Sequence, residues 1–283
     1  MVRKKEKAVI VVLLSTVFLC ACNPPSQSGQ NKQSDSRQAV TDQAQSKEMV
    51  FDHPKDQYGL KYWVGNLGGK PVQLPQTIFT VWEYDDSPDT WGGTKEEMAE
   101  YKKRPRTYDS IIKSMSFDMR YSDGILREFY YKAPSASREK YEREHDRPDS
   151  KWLDISVYSG QRYGAGDMNF YWKNRTEKTQ YEHLNYHPTD RKIYGLQEYA
   201  LENQWRYELM AEDMYVHKNE NNDVTTVISC TNGRSQSCEQ RFLLLPEFKA
   251  KAVVRYTRIN LKGWQIIQER VHSVMKTYII NKK

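Results

Sequence analysis

Met115-Ser116-Phe117-Asp118-Met119-Arg120-Tyr121 alternates apolar and polar side chains, Ser122-Asp123-Gly124 follows, and Ile125-Leu126-Arg127-Glu128-Phe129-Tyr130-Tyr131 resumes a β-prone run. Period-two alternation is the mark of a strand with one buried face, and Asp-Gly between two such runs predicts a hairpin. The same logic extends outward. Residues 152–158 alternate as another strand, and residues 213–217 and 224–229 flank the polar turn 219–223 as a second hairpin. Residues 242–245 and 252–258 continue the pattern. Near the C-terminus the period changes. Leu261, Trp264, Ile267, Val271, Val274, Met275 and Tyr278 fall on one face of a helix over 260–279, with Asn260 as its N-cap. Residues 95–102 and 135–144 predict two short, charged, exposed helices. The expected class is α+β: an antiparallel sheet with the C-terminal helix packed on it.

Upstream, the composition shifts. Residues 23–55 are rich in Gln, Ser, Asn, Asp and Lys, and such a stretch buries too little apolar surface to offset its ordering entropy. It reads as a flexible tether over residues 22–55, ahead of one domain over 56–283. Before it stand Arg3, Lys4, Lys5 and Lys7, an apolar run over 8–18, and Leu19-Cys20-Ala21-Cys22. The run is shorter than the roughly 20 residues a membrane span needs, and it reads as the core of an export signal.

Leu19-Cys20-Ala21-Cys22 resembles the lipobox of bacterial lipoproteins. The resemblance implies cleavage before Cys22, a diacylglyceryl thioether on its thiol, and an acylated amine. The partner at this end is then a membrane. Asn23, where the enterobacterial sorting rule reads Asp as a retention mark, implies the outer membrane, with the domain facing the periplasm. Removing residues 1–21 takes away four basic residues and one acidic residue, which leaves 39 against 36 and lowers the formal charge from +6 to +3. So even a balance, on an exported chain, gives no basis for a nucleic-acid partner.

Cys20 departs with the signal and Cys22 carries lipid, so Cys230 and Cys238 remain, with seven residues between them. In an oxidising compartment that spacing, around Thr231-Asn232-Gly233-Arg234, predicts a disulfide between two strands. Closing so short a loop contributes roughly 2–3 kcal/mol through chain entropy.

Catalytic and metal constellations are weak. His183 and His187 have helical i, i+4 spacing, but Leu184 stands where a zincin needs Glu, and Pro188 opposes a continuing helix. The nucleophile elbow GxSxG and the phosphate loop GxxxxGK[ST] do not occur, and the glycines at 160, 164 and 166 read as a turn cluster between strands. Glu83, Asp85 and Asp86, beside Trp82 and Trp91, are the carboxylates that a glycan hydrolase would need, although their separation is not legible from sequence. No cofactor, metal or catalytic residue is expected. The binding candidates are aromatic: Trp82 and Trp91, which bracket an acidic stretch, and Tyr163, Tyr171 and Trp172, which follow the glycines. Tyr and Trp bring large contact area at low entropy cost.

The lipobox, the Gln/Ser-rich tether and a C-terminal third containing Tyr194-Gly195-Leu196-Gln197-Glu198-Tyr199 and Cys230 through Cys238 are similar in plan to uncharacterised Gram-negative envelope lipoproteins. They also resemble the immunity lipoproteins that protect cells from type VI secretion effectors. That resemblance implies a non-enzymatic binding protein with a toxin effector as its protein partner. The alternatives are a structural lipoprotein that binds peptidoglycan or an outer-membrane complex, and a glycan-acting hydrolase.

Overall fold

The alternation at 115–121 lies in a nine-residue strand, Ile112–Arg120. It belongs to a computed structural model that describes residues 52–88, 93–163, 167–176, 186–201, 212–231 and 236–280. The signal, Cys22 and nearly all of the expected tether lie outside these residues. In chain order the strands and helices are β1 Trp63–Leu67, β2 Lys70–Leu74, β3 Thr80–Tyr84, α1 Lys95–Lys103, β4 Ile112–Arg120, β5 Ile125–Leu126, α2 Ala136–Glu144 and β6 Trp152–Tyr158. There follow α3 Met168–Thr176, β7 Tyr186–Ile193, β8 Leu196–Leu201, β9 Glu212–Lys218, β10 Val224–Thr231, β11 Ser237–Leu243, β12 Lys251–Thr257 and α4 Trp264–Lys276.

One antiparallel sheet runs in the order β3-β4-β6-β12-β11-β10-β9-β8-β7, with β5 paired to β4, and β1 and β2 form a separate hairpin. The class is α+β, as the periodicities predict. Register explains how the sheet divides its two faces. Phe117 lies opposite Ile155, Ile155 opposite Val254, Val254 opposite Gln240, Gln240 opposite Ile228, and Ile228 opposite Tyr215. This row is buried, and its apolar members share one core with Ile267, Val271 and Met275 of α4. The next row is Asp118, Asp154, Arg255, Glu239, Ser229 and Met214. It is polar over its middle strands and turns apolar only where α3 lies on it, at Met214, Val216 and Val227.

The Asp-Gly hairpin forms, with Gly124 at φ 78°, but its second arm is shorter than the β-prone run. Only Ile125 and Leu126 pair with β4. Beyond them the Arg127 amide donates to the Asp118 carbonyl at 3.0 Å and the Phe129 amide to the Thr77 carbonyl at 2.6 Å. The second hairpin is β9–β10. The two charged segments are helices α1 and α2, neither of which has a buried residue. Residues 82–84, read as part of a loop, belong to edge strand β3, and Tyr84 is buried with its hydroxyl donating to the Val64 carbonyl. Only the first part of the glycine stretch is a turn, a 3-10 turn at Gly160–Tyr163, and helix α3 follows from Met168.

Cys230 and Cys238 are directly opposed across β10 and β11 and form a disulfide buried in the main core. Pairing and spacing are as predicted.

Asn260 is not the N-cap of the C-terminal helix. The chain leaves β12 through a 3-10 stretch, Arg258–Gly263, and α4 begins at Trp264 after Gly263. The Asn260 side chain is taken by tertiary partners instead. Its amide donates to the Ser150 carbonyl at 2.6 Å and to Thr257 Oγ1 at 3.0 Å, while its oxygen accepts from Tyr121 Oη at 3.2 Å and Lys151 Nζ at 3.1 Å. The residue is fully buried. Asn260→Leu strands several of these groups without a partner, and a loss of about 2–4 kcal/mol is expected in denaturant unfolding.

Candidate functional site

Helix α4 buries a single stripe, Trp264, Ile267, Val271 and Met275. That spacing leaves a polar flank, Gln265, Gln268, Glu269, His272, Ser273 and Lys276, which forms one wall of a groove of about 580 Å³. The opposite wall is Leu245-Pro246-Glu247, from the loop after β11, and the floor is His217 of β9 with Thr225 and Thr226 of β10.

Buried polar groups beneath the groove are paired. Gln240, fully buried, donates to the Trp264 carbonyl at 3.1 Å and accepts from the Tyr256 hydroxyl at 3.0 Å. Thr226 Oγ1 donates to Gln268 Oε1 at 2.9 Å. At one end the Trp264 indole donates to the Tyr194 carbonyl at 3.0 Å. Tyr194 and Gly195 have φ of 54° and 83°, the two positive values that a tight turn between right-twisted strands needs, and they join β7 to β8. The His217 ring lies 5.1 Å from that of Trp264, and its Nδ1 is 2.6 Å from Thr225 Oγ1. At the other end Glu247 pairs with Lys276 and stands 4.0 Å from His272 Nδ1. Leu245, 46% exposed, forms an apolar lip. Its peptide to Pro246 is cis.

Burial pushes the His272 imidazole below its ordinary pKa; Glu247 and a hydrogen bond with the Leu243 backbone oppose this, while Lys276 reinforces it. The folded pKa is thus below the unfolded one. As pH falls through the ordinary histidine value near 6.5, the unfolded chain takes up protons that the folded chain refuses, and stability declines. His272→Gln is expected to flatten the fall of unfolding free energy between about pH 7 and the folded pKa, measured by denaturation at a series of pH values.

A hollow of about 840 Å³ lies on the other face, where β6, β11 and β12 meet the loop after α2. Much of its charge is spent internally, with Arg255 on Glu239 at 2.9 Å and Arg258 on Asp213. The groove beside α4 joins an exposed apolar lip to polar walls, which is the composition of recognition surfaces.

The aromatic candidates from the sequence do not gather in the groove. Trp82 is on β3, at one edge of the sheet; its side chain and all of Trp91 lie outside the described residues. Tyr163 ends the 3-10 turn after β6. Tyr171 and Trp172 pack from α3 onto the small second core, where Tyr171 receives Arg241 and Trp172 meets Tyr199 edge-on at 4.7 Å. Asp86 is gripped by Arg104 at 3.0 Å and Arg106 at 2.8 Å. Burial raises its pKa, but hydrogen bonds from the two arginines outweigh this and hold it below the usual carboxylate range, the reverse of what a general acid requires. His187 lies on strand β7 rather than on a helix, and His183 is outside the described residues. Among the described residues no three His, Cys, Asp or Glu side chains converge as a metal site, and no helix is long and apolar enough to cross a membrane. Sequence reasoning missed Leu245, Glu247, Gln268 and His272. The polar flank of α4 was readable as the back of the apolar stripe, but the wall facing it comes from a distant loop.

No protein-family model and no curated protein matches the chain. Among solved structures, Smlt3025, an immunity protein of the Stenotrophomonas maltophilia type IV secretion system, superposes with a TM-score of 0.49 at 12% identity, over 82% of this chain and 100% of its own. The Neisseria meningitidis iron-regulated outer membrane lipoprotein FrpD superposes with a TM-score of 0.36 at 11% identity, over 82% of this chain and 98% of its own. At such scores neither likeness carries an argument about function.

Proposed function

We propose that this protein is an envelope lipoprotein, held on the outer membrane through Cys22 and facing the periplasm, whose domain binds and neutralises an antibacterial protein effector through the groove beside α4. The observation that carries the reading is the Leu19–Cys22 lipobox ahead of a domain stapled by the Cys230–Cys238 disulfide. Stable disulfides belong to oxidising compartments, and a lipid anchor holds a binder where incoming effectors arrive. The groove adds a surface suited to a protein: an apolar lip, hydrogen-bonding walls and a rigid floor. The test is a deletion strain attacked by sister cells. Its killing, rescue by the wild-type gene, and failed rescue by a Leu245→Asp, Gln268→Arg double variant support the reading. Normal survival of the deletion strain overturns it.

A further inference from the structure

The described chain begins at one edge of the domain, and the surface there differs from the groove. Lys55 and Lys61 form an isolated antiparallel bridge, with the Tyr62 amide on the Pro54 carbonyl at 2.8 Å. Like charges placed directly opposite repel, and both lysines are exposed. The loop between them is fixed from within: Asp56 Oδ1 accepts the Tyr58 and Leu60 amides at 2.8 and 2.9 Å. It is fixed from outside by the Tyr58 ring, stacked 4.6 Å from that of Tyr130. The next residue, Tyr131, is 67% exposed, with the Arg138 guanidinium 5.0 Å over its ring. Lys132, also exposed, follows it. Among the described residues, Lys55, Lys61 and Lys132 have no ion-pair partner. Of the loop's own carboxylates, Asp56 is turned onto those backbone amides, and Asp52 stands at the chain's point of entry.

We infer that Lys55, Lys61, Tyr131 and Lys132 form a membrane-contact patch that rests on anionic lipid headgroups. The inference relies on the lipid-anchor reading for the nearness of a bilayer. Thirty residues separate Cys22 from Asp52, which extend at most about 100 Å, and they enter the domain at this patch. Any anchor at Cys22 therefore keeps this edge close to the lipid at high effective concentration. The chemistry matches that surface: unpaired ammonium groups for anionic headgroups, and a tyrosine whose ring and hydroxyl suit the interface. The groove lies over β9 and β10, four strand positions across the sheet from β4, or roughly 19 Å, and stays free for a protein.

The experiment sediments the lipid-free mature chain, Cys22→Ser, with vesicles of equal parts phosphatidylglycerol and phosphatidylcholine, and with phosphatidylcholine alone. Binding to the anionic vesicles only, weakened by salt and reduced about tenfold or more by Lys55→Glu, Lys61→Glu and Lys132→Glu together, is the expected result, since each lysine near such a surface is worth about fivefold. The three side chains are exposed, so an unchanged unfolding midpoint certifies the variant, and Tyr131→Ser provides a second, uncharged test. No binding at low salt, equal binding to both vesicles, or an unaffected triple variant overturns the patch. Lipidation of the wild-type chain in cells is scored separately. A lipidated protein whose lipid-free form ignores vesicles loses only the patch, and an unlipidated protein that binds them loses only the anchor.

Discussion

Cys22→Ser is expected to move the protein from the membrane fraction to the soluble fraction of the periplasm. The lipobox reading makes this thiol the attachment point of the acyl chains, and serine offers no thioether. Each buried methylene is worth about 0.8 kcal/mol, one chain gives only marginal attachment, and two or three give an anchor that fractionation cannot strip. A basic patch adds far less, so it does not rescue the variant at physiological salt. Fractionation with metabolic labelling by a palmitate analogue is the measurement. Wild-type protein that carries no label, or a serine variant that stays with the membranes after a salt wash, refutes the anchor.

Trp264→Ala is expected to be the most damaging single change within the described domain, with a loss of about 3–5 kcal/mol. The indole is 4% exposed, sits at the first position of α4, and belongs to the main core. Its N–H also fastens the β7–β8 turn through the Tyr194 carbonyl. Alanine therefore empties a large volume, releases a turn and removes the floor of the groove at once. Trp264→Phe keeps most of the apolar volume and loses the donor, and is expected to cost about 1 kcal/mol from the hydrogen bond. Ile266→Ala, two residues along and 53% exposed, should stay within about 0.5 kcal/mol. Denaturant unfolding of the three variants decides. If the two alanine variants lie together, α4 does not hold the core as described.

What was legible in the sequence was what local periodicity controls. Strands β4, β6, β9, β10 and β12 announce themselves because one face is buried, and each alternates accordingly. Helix α4 does so because its stripe has helical spacing. The Cys230–Cys238 bridge was readable because both cysteines sit on consecutive strands. Misreadings arise where distant partners decide. Asn260 has the local chemistry of an N-cap, yet Ser150, Tyr121 and Lys151 claim its side chain. Phe129 and Tyr130 look like strand, but the chain leaves β4 after Leu126 to meet Thr77 and Tyr58. Helix α3 has no apolar stripe of its own, since it lies on a patch where Tyr171 and Trp172 are only half buried. Edge strand β7 reads as polar loop because an edge exposes both faces, and Pro188 is tolerated there for the same reason. The groove was illegible throughout: α4 supplies one wall and the Leu245–Glu247 loop the other, and nothing in either stretch points to its opposite.

The position of β12 bears on how the chain reaches its compartment. This strand lies between β6 and β11, pairing Lys251 with Tyr158 on one side and with Leu243 on the other. A chain secreted N-terminus first delivers it almost last. Until residue 257 has crossed, β4 and β6 have no route to the rest of the sheet, and α4 has not arrived to cover their apolar row. Closing so distant a pairing is slow, so the chain stays open during passage through the translocon. The same delay leaves the unpaired edge of β6 exposed on the far side, where it is the segment for a periplasmic holdase to shield.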